Sequence, residues 1–187
     1  MKTIAEHVLD IVQNSVRAGA TLIEIMVEEN KKKDLYTLQI TDNGCGMPPG
    51  ILKNATNPFF TSRTTRKVGL GLSLLKQNAE NAGGSFSLTS QPEKGTTVKA
   101  AFGHSNVDRP PLGDIWDTWY YSVLSHPDIR LVYEHRTGKG HFMADSAEIL
   151  EMLGEVSLKN SAIKEAIIDM IKNNLKEIKE TNNNFQL

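Results

Sequence analysis

Asp10-Ile-Val-Gln-Asn14-Ser-Val-Arg17, read together with Asp42-Asn-Gly44-Cys-Gly46-Met47 and Val68-Gly69-Leu70-Gly71-Leu72-Ser-Leu74, decides the fold of this chain. The first stretch lies inside an amphipathic pattern from Thr3 to Ala18 that Gly19 ends, which predicts a helix. At about 100° per residue, Ile4, Val8, Leu9, Ile11, Val12 and Val16 share one arc. His7, Asp10, Asn14 and Arg17 gather outside it. A carboxylate, an amide oxygen and a guanidinium on one face suit a magnesium ion and a phosphate. Mg²⁺ takes hard oxygen ligands and keeps several waters, so Asn14 as the one side-chain metal ligand is enough when phosphate oxygens complete the shell. Arg17 then holds a phosphate by charge-assisted bonds. A solvated helix face has the same composition, and only the later segments tip the balance.

Asp42 closes an expected strand and opens a loop with glycines two and four residues on. A carboxylate only accepts hydrogen bonds, so it can pair with the exocyclic amine of adenine and would repel the carbonyl of guanine. Gly44 and Gly46 allow close backbone approach or positive φ. Asp-Asn-Gly is also a common turn sequence. Gly69, Leu70, Gly71 and Leu72 stand before or at the start of a helix, where free backbone N–H groups attract phosphate. The spacing is not a Walker loop, since Lys and Ser/Thr do not follow the last glycine, and G-x-G-x-x-G is absent.

The rest of the chain frames these segments. Thr21–Glu29 and Leu35–Asp42 alternate as strands around the turn Asn30–Asp34, and the residues from Asp42 to Gly50 are rich in turn formers. Asn57–Val68 has the composition of a mobile loop. A helix is expected from Gly69 to Ala82, then a hairpin of Ser85–Thr89 and Thr97–Phe102. Pro110-Pro111 marks a linker over 104–113 between a region 1–103 and a small α+β region 114–187. The latter has a helix at Asp114–Leu124, strands at Ile129–Glu134 and His141–Met143, a helix capped by Asp145 and Glu148, and a helix over Ser161–Lys179. Trp116, Trp119 and Tyr120 are expected to be core. The net charge of −1 advertises no nucleic-acid or membrane binding. The single Cys45 excludes an internal disulfide framework. Without a signal peptide or an apolar run long enough to span a membrane, a cytoplasmic protein is expected.

With those motifs in place, residues 3 to about 103 resemble the GHKL ATPase superfamily of gyrase, heat-shock chaperone ATPases, histidine kinases and the mismatch-repair protein MutL. Asn14 matches its magnesium asparagine, Asp42, Gly44 and Gly46 its D-x-G-x-G motif, and Gly69 and Gly71 its second glycine box. Pro58-Phe-Phe-Thr61, the basic loop after it and Gly95-Thr96-Thr97 are most similar to the histidine-kinase branch. The resemblance implies an α/β (α+β) two-layer sandwich with helices on one face of a mixed sheet, and ATP and Mg²⁺ as ligands. It makes 57–68 an ATP lid, in which Thr61, Arg63, Arg66 and Lys67 meet the phosphates, and it places Thr97 at the nucleotide.

Two departures stand out. Asp10 occupies the place where many members carry a glutamate as general base, and a carboxylate shorter by roughly 1.5 Å slows hydrolysis or transfer. With two residues ahead of the first helix, the phosphoacceptor hairpin of histidine kinases is not expected here, and none of the five histidines is expected to replace it. His7 is expected to be solvated, or to orient Asp10 or touch a phosphate, while Asn78 is expected on an outer face. The resemblance therefore implies a stand-alone ATP-binding regulatory protein. It either phosphorylates an unidentified protein partner, with Asp10 and Arg17 catalytic, or switches partner binding through its lid. A MutL-like DNA-repair ATPase and a non-hydrolysing ATP sensor are the alternatives.

Overall fold

The computed structural model describes residues 1–57 and 70–179. Helix α1 spans Ile4–Arg17, and its N-cap Thr3 accepts the backbone N–H of Glu6, satisfying one of the donors that a helix start leaves open. Strands β1 (Leu22–Asn30) and β2 (Leu35–Asp42) form an antiparallel hairpin. Its turn is a single 3₁₀ turn at Lys31–Lys33, closed by Asp34 in the left-handed region. A short helix α2 (Pro49–Leu52) follows, then α3 (Gly71–Asn81) and the hairpin of β3 (Ser85–Gln91) and β4 (Gly95–Gly103). Beyond it come α4 (Ile115–Ser125), β5 (Arg130–Thr137), β6 (His141–Asp145), α5 (Ser146–Leu153) and α6 (Ser161–Lys179).

The six strands make one sheet in the order β3-β4-β2-β1-β5-β6. Every pairing is antiparallel except that of β1 with β5, so the sheet is mixed, as expected. Inward-facing residues alternate along the strands: Ile23, Ile25 and Val27 on β1, Tyr36, Leu38 and Ile40 on β2, and Val98, Ala100 and Phe102 on β4 are all buried. They meet the apolar faces of the helices in a single core that also takes in Trp119, Tyr120, Tyr133, Ile171 and Leu175. The alternate residues Glu24, Glu28 and Lys99 are exposed on the other face. The result is an α/β two-layer sandwich.

The sheet runs on through the expected boundary at 103, because β5 lies in register beside β1 from Leu22↔Arg130 to Glu29↔Thr137. The segment 104–113 is tied down at both ends. His104 N–H donates to Asp34 O, and Pro111 and Leu112 carbonyls accept the N–H groups of Ile4 and Ala5. α2 is an unexpected element. Pro49 sits in its first turn, where its missing N–H costs nothing. Leu9, placed on the apolar arc of α1 by periodicity, is exposed. Helices long and apolar enough to cross a membrane are absent among the described residues.

Candidate functional site

The polar face of α1 borders a cavity of about 390 Å³. Asp10, Asn14 and Arg17 line it from α1, Asp42 to Pro48 in part from the loop after β2, Leu70, Gly71 and Leu72 from the start of α3, and Thr96 and Val98 from β4. The helical spacing does what the sequence predicts. Arg17 Nη1 donates to Asn14 Oδ1 at 2.9 Å, and Asn14 Nδ2 donates to Asp10 Oδ2 at 3.3 Å. Carboxylate, amide and guanidinium thus form one connected row.

Asp42 is 8% exposed and is the deepest acid of the cavity. β2 delivers it on the same side of the sheet as Ile40 and Leu38, under the helices. Its Oδ1 accepts the N–H of Gly44 at 2.9 Å and its Oδ2 the hydroxyl of Ser15 at 2.6 Å. Each carboxylate oxygen has a second lone pair, so the group is oriented yet retains capacity for a ligand donor. The loop behind it is fastened on three sides. Asn43 Oδ1 accepts the N–H groups of Thr21 and Leu22, Cys45 N–H donates to Ala18 O, and Met47 N–H donates to Ser90 Oγ. Gly46 has φ +65°, and a Cβ there would stand 1.9 Å from the carbonyl oxygen of Gln91. Only glycine fits.

Gly71 begins α3 directly against Asp10. A Cβ at Gly71 would fall 1.8 Å from Asp10 Oδ2. The N-cap position belongs to Leu70, and a side-chain cap on the first turn of α3 is absent among the described residues, while Leu70, Gly71 and Leu72 line the cavity. Apolar residues complete the wall: Met47, Ile51, Ala55, Leu70 and Leu72. In shape and chemistry the cavity suits a flat heterocycle against Asp42 and a polyanion between α1 and α3. The hard oxygens of Asn14 and Asp10 fit a magnesium ion whose shell the ligand and water complete. Groups of three or more His, Cys, Asp or Glu able to hold a metal by themselves are absent among the described residues.

Of the residues expected at a nucleotide, Asp10, Asn14, Arg17, Asp42, Gly46, Leu70, Gly71 and Leu72 line the cavity, and Gly44 orients Asp42. Thr97 does not line it: its hydroxyl lies 3.3 Å from that of Thr41 on the other face of the sheet, while its neighbour Thr96 lines the cavity. Thr61, Arg63, Arg66, Lys67 and Gly69, with the rest of the expected lid, fall outside the described residues. Ser15 was not anticipated. A hydroxyl one position after Asn14, flanking the apolar arc, was the available signal, because a buried hydroxyl needs a partner.

His7 is neither solvated nor on the cavity. It is 1% exposed, its Nε2 sits 2.9 Å from Asn78 Nδ2, and its Nδ1 has no partner among the described residues. Burial, with the N-terminal charge adding to it, pushes its pKa down to about 4 against the opposing pull of Glu6 and Asp10. Asn78, expected on an outer face, therefore points into the helix–helix contact.

Residues 2–105 match the family described as histidine kinase-, DNA gyrase B-, and HSP90-like ATPase. The chain is 33% identical over 102 residues to a putative sensor protein of Shewanella frigidimarina, covering 54% of this chain and 16% of that protein. It is 33% identical over 111 residues to the tetrathionate sensor histidine kinase TtrS of Salmonella typhimurium, covering 57% and 18%. Sporulation kinase B of Bacillus subtilis is 31% identical over 98 residues, covering 51% and 22%. The chain thus spans less than a quarter of the length of these relatives. Among solved structures, the N-terminal domain of a DNA repair protein superposes with a TM-score of 0.52 at 20% identity, over 78% of this chain and 52% of that one. At that identity the likeness concerns the fold alone.

Proposed function

Because the chain belongs to the histidine kinase-, DNA gyrase B- and HSP90-like ATPase family, we propose that it binds Mg-ATP in the cavity beside α1 and acts through it on a partner protein. The observation that carries this reading is the buried Asp42 carboxylate, held by Ser15 and Gly44 with acceptor capacity left toward the cavity. It accepts the amine of adenine. The apolar wall of Met47, Ile51 and Leu72 takes the ring faces.

Asn14 is the magnesium ligand, and Arg17, bonded to it, neutralises a phosphate oxygen. Bound magnesium supplies positive charge to the phosphates. The first-turn N–H groups of α3 receive the polyphosphate. Asp10, held by Asn14 at one oxygen, is the base that takes a proton from the attacking group. That group is a side chain of a second protein in the kinase form of the reading, or a water in the ATPase form. The relatives named as kinases favour the first.

Incubation of a lysate with γ-labelled ATP and the wild-type chain or Asn14→Ala tests this. A second protein labelled only with wild type is the expected result. Mg-ATP binding without label in either case would replace transfer by a switch in partner binding. A MutL-like repair ATPase is the second reading, resting on the stretch Asn14-Ser-Val-Arg-Ala-Gly-Ala-Thr21. It requires salt-dependent DNA binding, which a chain of net charge −1 is not expected to show.

A further inference from the structure

The contact between α1 and α3 decides where the first turn of α3 points. α1 buries Ile4, Val8 and Ile11, and α3 buries Leu75 and Ala79. Apolar contact is non-directional, so these residues hold the helices together without fixing how far one slides or rolls on the other. A hydrogen bond from a buried polar side chain on one helix to a partner on the other does fix it. Slippage by one residue would strand the buried imidazole away from water, and a buried unpaired polar group is costly. Setting the register of packed helices is the best-attested use of a buried polar group.

We infer that His7 and Asn78 are a positioning pair, which sets the register of α3 on α1 and thereby aims the first turn of α3 at the phosphate end of the cavity. The pair spans 2.9 Å, with His7 buried and Asn78 half-buried. From Asn78 to Gly71 is seven residues of continuous helix, about 10 Å, and from His7 to Asn14 is the same. The pair and the site are therefore opposite ends of one rigid seam. Gly71 shows how little play the seam allows, since its Cα already touches the Asp10 carboxylate. His7 stays neutral near pH 7, so its Nε2 lone pair is available to the Asn78 amide. Neither residue lines the cavity.

The inference rests on the nucleotide reading above and predicts its main effect at the phosphate end of the ligand. Of the adenine contacts only Leu72 belongs to α3, while Asp42, Met47 and Ile51 come from β2 and the segment after it. Phosphate contacts depend on where α3 begins. The double variant His7→Leu/Asn78→Leu exchanges the polar pair for an apolar one of similar size and removes the register constraint.

Titration calorimetry with Mg-ATP, and NMR shift titration with adenosine to millimolar concentration, compare the two ends. Mg-ATP affinity is expected to fall by at least about tenfold, because displacements near 1 Å cost on the order of a hundredfold at a reacting site, while adenosine affinity stays within twofold. His7→Gln keeps an acceptor for the Asn78 amide and is expected to preserve the wild-type ratio. An unchanged ratio in the double variant, or equal loss of both ligands, overturns the inference. Should the double variant fail to fold, Asn78→Ala is measured for the same ratio. Wild-type protein that binds neither ligand overturns the nucleotide reading itself.

Discussion

Asp42→Asn is the sharpest perturbation of the proposed nucleotide site. In the wild type the two oxygens accept from the Gly44 N–H and the Ser15 hydroxyl, and in the proposed complex they also accept the ligand amine. Asparagine has one acceptor oxygen and one NH₂. The Gly44 N–H keeps the oxygen, the Ser15 hydroxyl turns to accept from the NH₂, and the remaining N–H faces the amine of adenine. A charge-assisted bond of about 1.5–3 kcal/mol is lost and a donor faces a donor. The sum is about 3 kcal/mol, or roughly a hundredfold in Kd for ATP.

GTP presents a carbonyl at that place, so its affinity should rise in the same variant and the ATP/GTP preference should collapse or invert. Ser15→Ala removes one internal donor and leaves the carboxylate, so about 1 kcal/mol, roughly fivefold weaker ATP binding, is expected. Calorimetric Kd values for both nucleotides, with thermal melts of each variant to separate binding from folding, give the answer. ATP binding to Asp42→Asn within threefold of wild type, at an unchanged ATP/GTP ratio, would refute the assignment of the adenine end.

Gly71→Ala places a methyl on the Asp10 carboxylate. Overpacking of this kind costs about 1–3 kcal/mol, read as a lowered urea midpoint together with weaker Mg-ATP binding, and a variant matching wild type in both would contradict the close approach. Acid should destabilise the chain, because burial depresses the pKa of both His7 and His135 below 6.5. Groups of this kind contribute their full stability above the unfolded value and lose it as pH falls toward the folded one. For His7 alone, the span from 6.5 to about 4 is worth about 2 kcal/mol between pH 8 and pH 5. Urea titrations at the two pH values check it, and His7→Gln should flatten the difference. Cys45 is exposed and lines the cavity, so Mg-ATP should slow its alkylation by maleimide, and an equal rate with and without nucleotide would place the ligand elsewhere.

Much of this site was legible because its chemistry rides on short-range periodicity. The spacing of Asp10, Asn14 and Arg17 is a property of any helix, and their hydrogen-bonded row follows from it. Asp42 was found through its glycines. What escaped depended on parity and on distant partners. The resemblance points to Thr97, whereas the parity of β4 that buries Val98, Ala100 and Phe102 carries inward to Thr96. His7 looked solvated because its partner Asn78 lies 71 residues away. The parallel pairing of β5 with β1 has no local signature, since it joins strands across more than a hundred residues, and Pro110-Pro111 in between reads as punctuation.

That pairing explains why a site confined to the first half of the chain needs the second. β1 would otherwise be a sheet edge with a row of unpaired backbone groups. β5 closes it, and α4 packs on α1, where Val12, Val16 and Ile23 line one small cavity with Ser122, His126 and Leu131. At the far end of β1, Glu29 gathers the two halves. His135 Nε2 lies 2.9 Å and Lys179 Nζ 3.0 Å from its Oε1, and His104 Nε2 lies 3.2 Å from its Oε2. Burial alone would raise the pKa of Glu29, but these donors outweigh it and hold the carboxylate well below its usual range. A buried carboxylate is tolerated only with such partners, and the partners come from the 104–113 segment, β5 and α6. The segment after β4 also accepts the first N–H groups of α1. The helix that presents Asp10, Asn14, Ser15 and Arg17 is therefore placed by the later segments as much as by the sheet beneath it, and a displacement of α4 or of 104–113 would reach the cavity through α1.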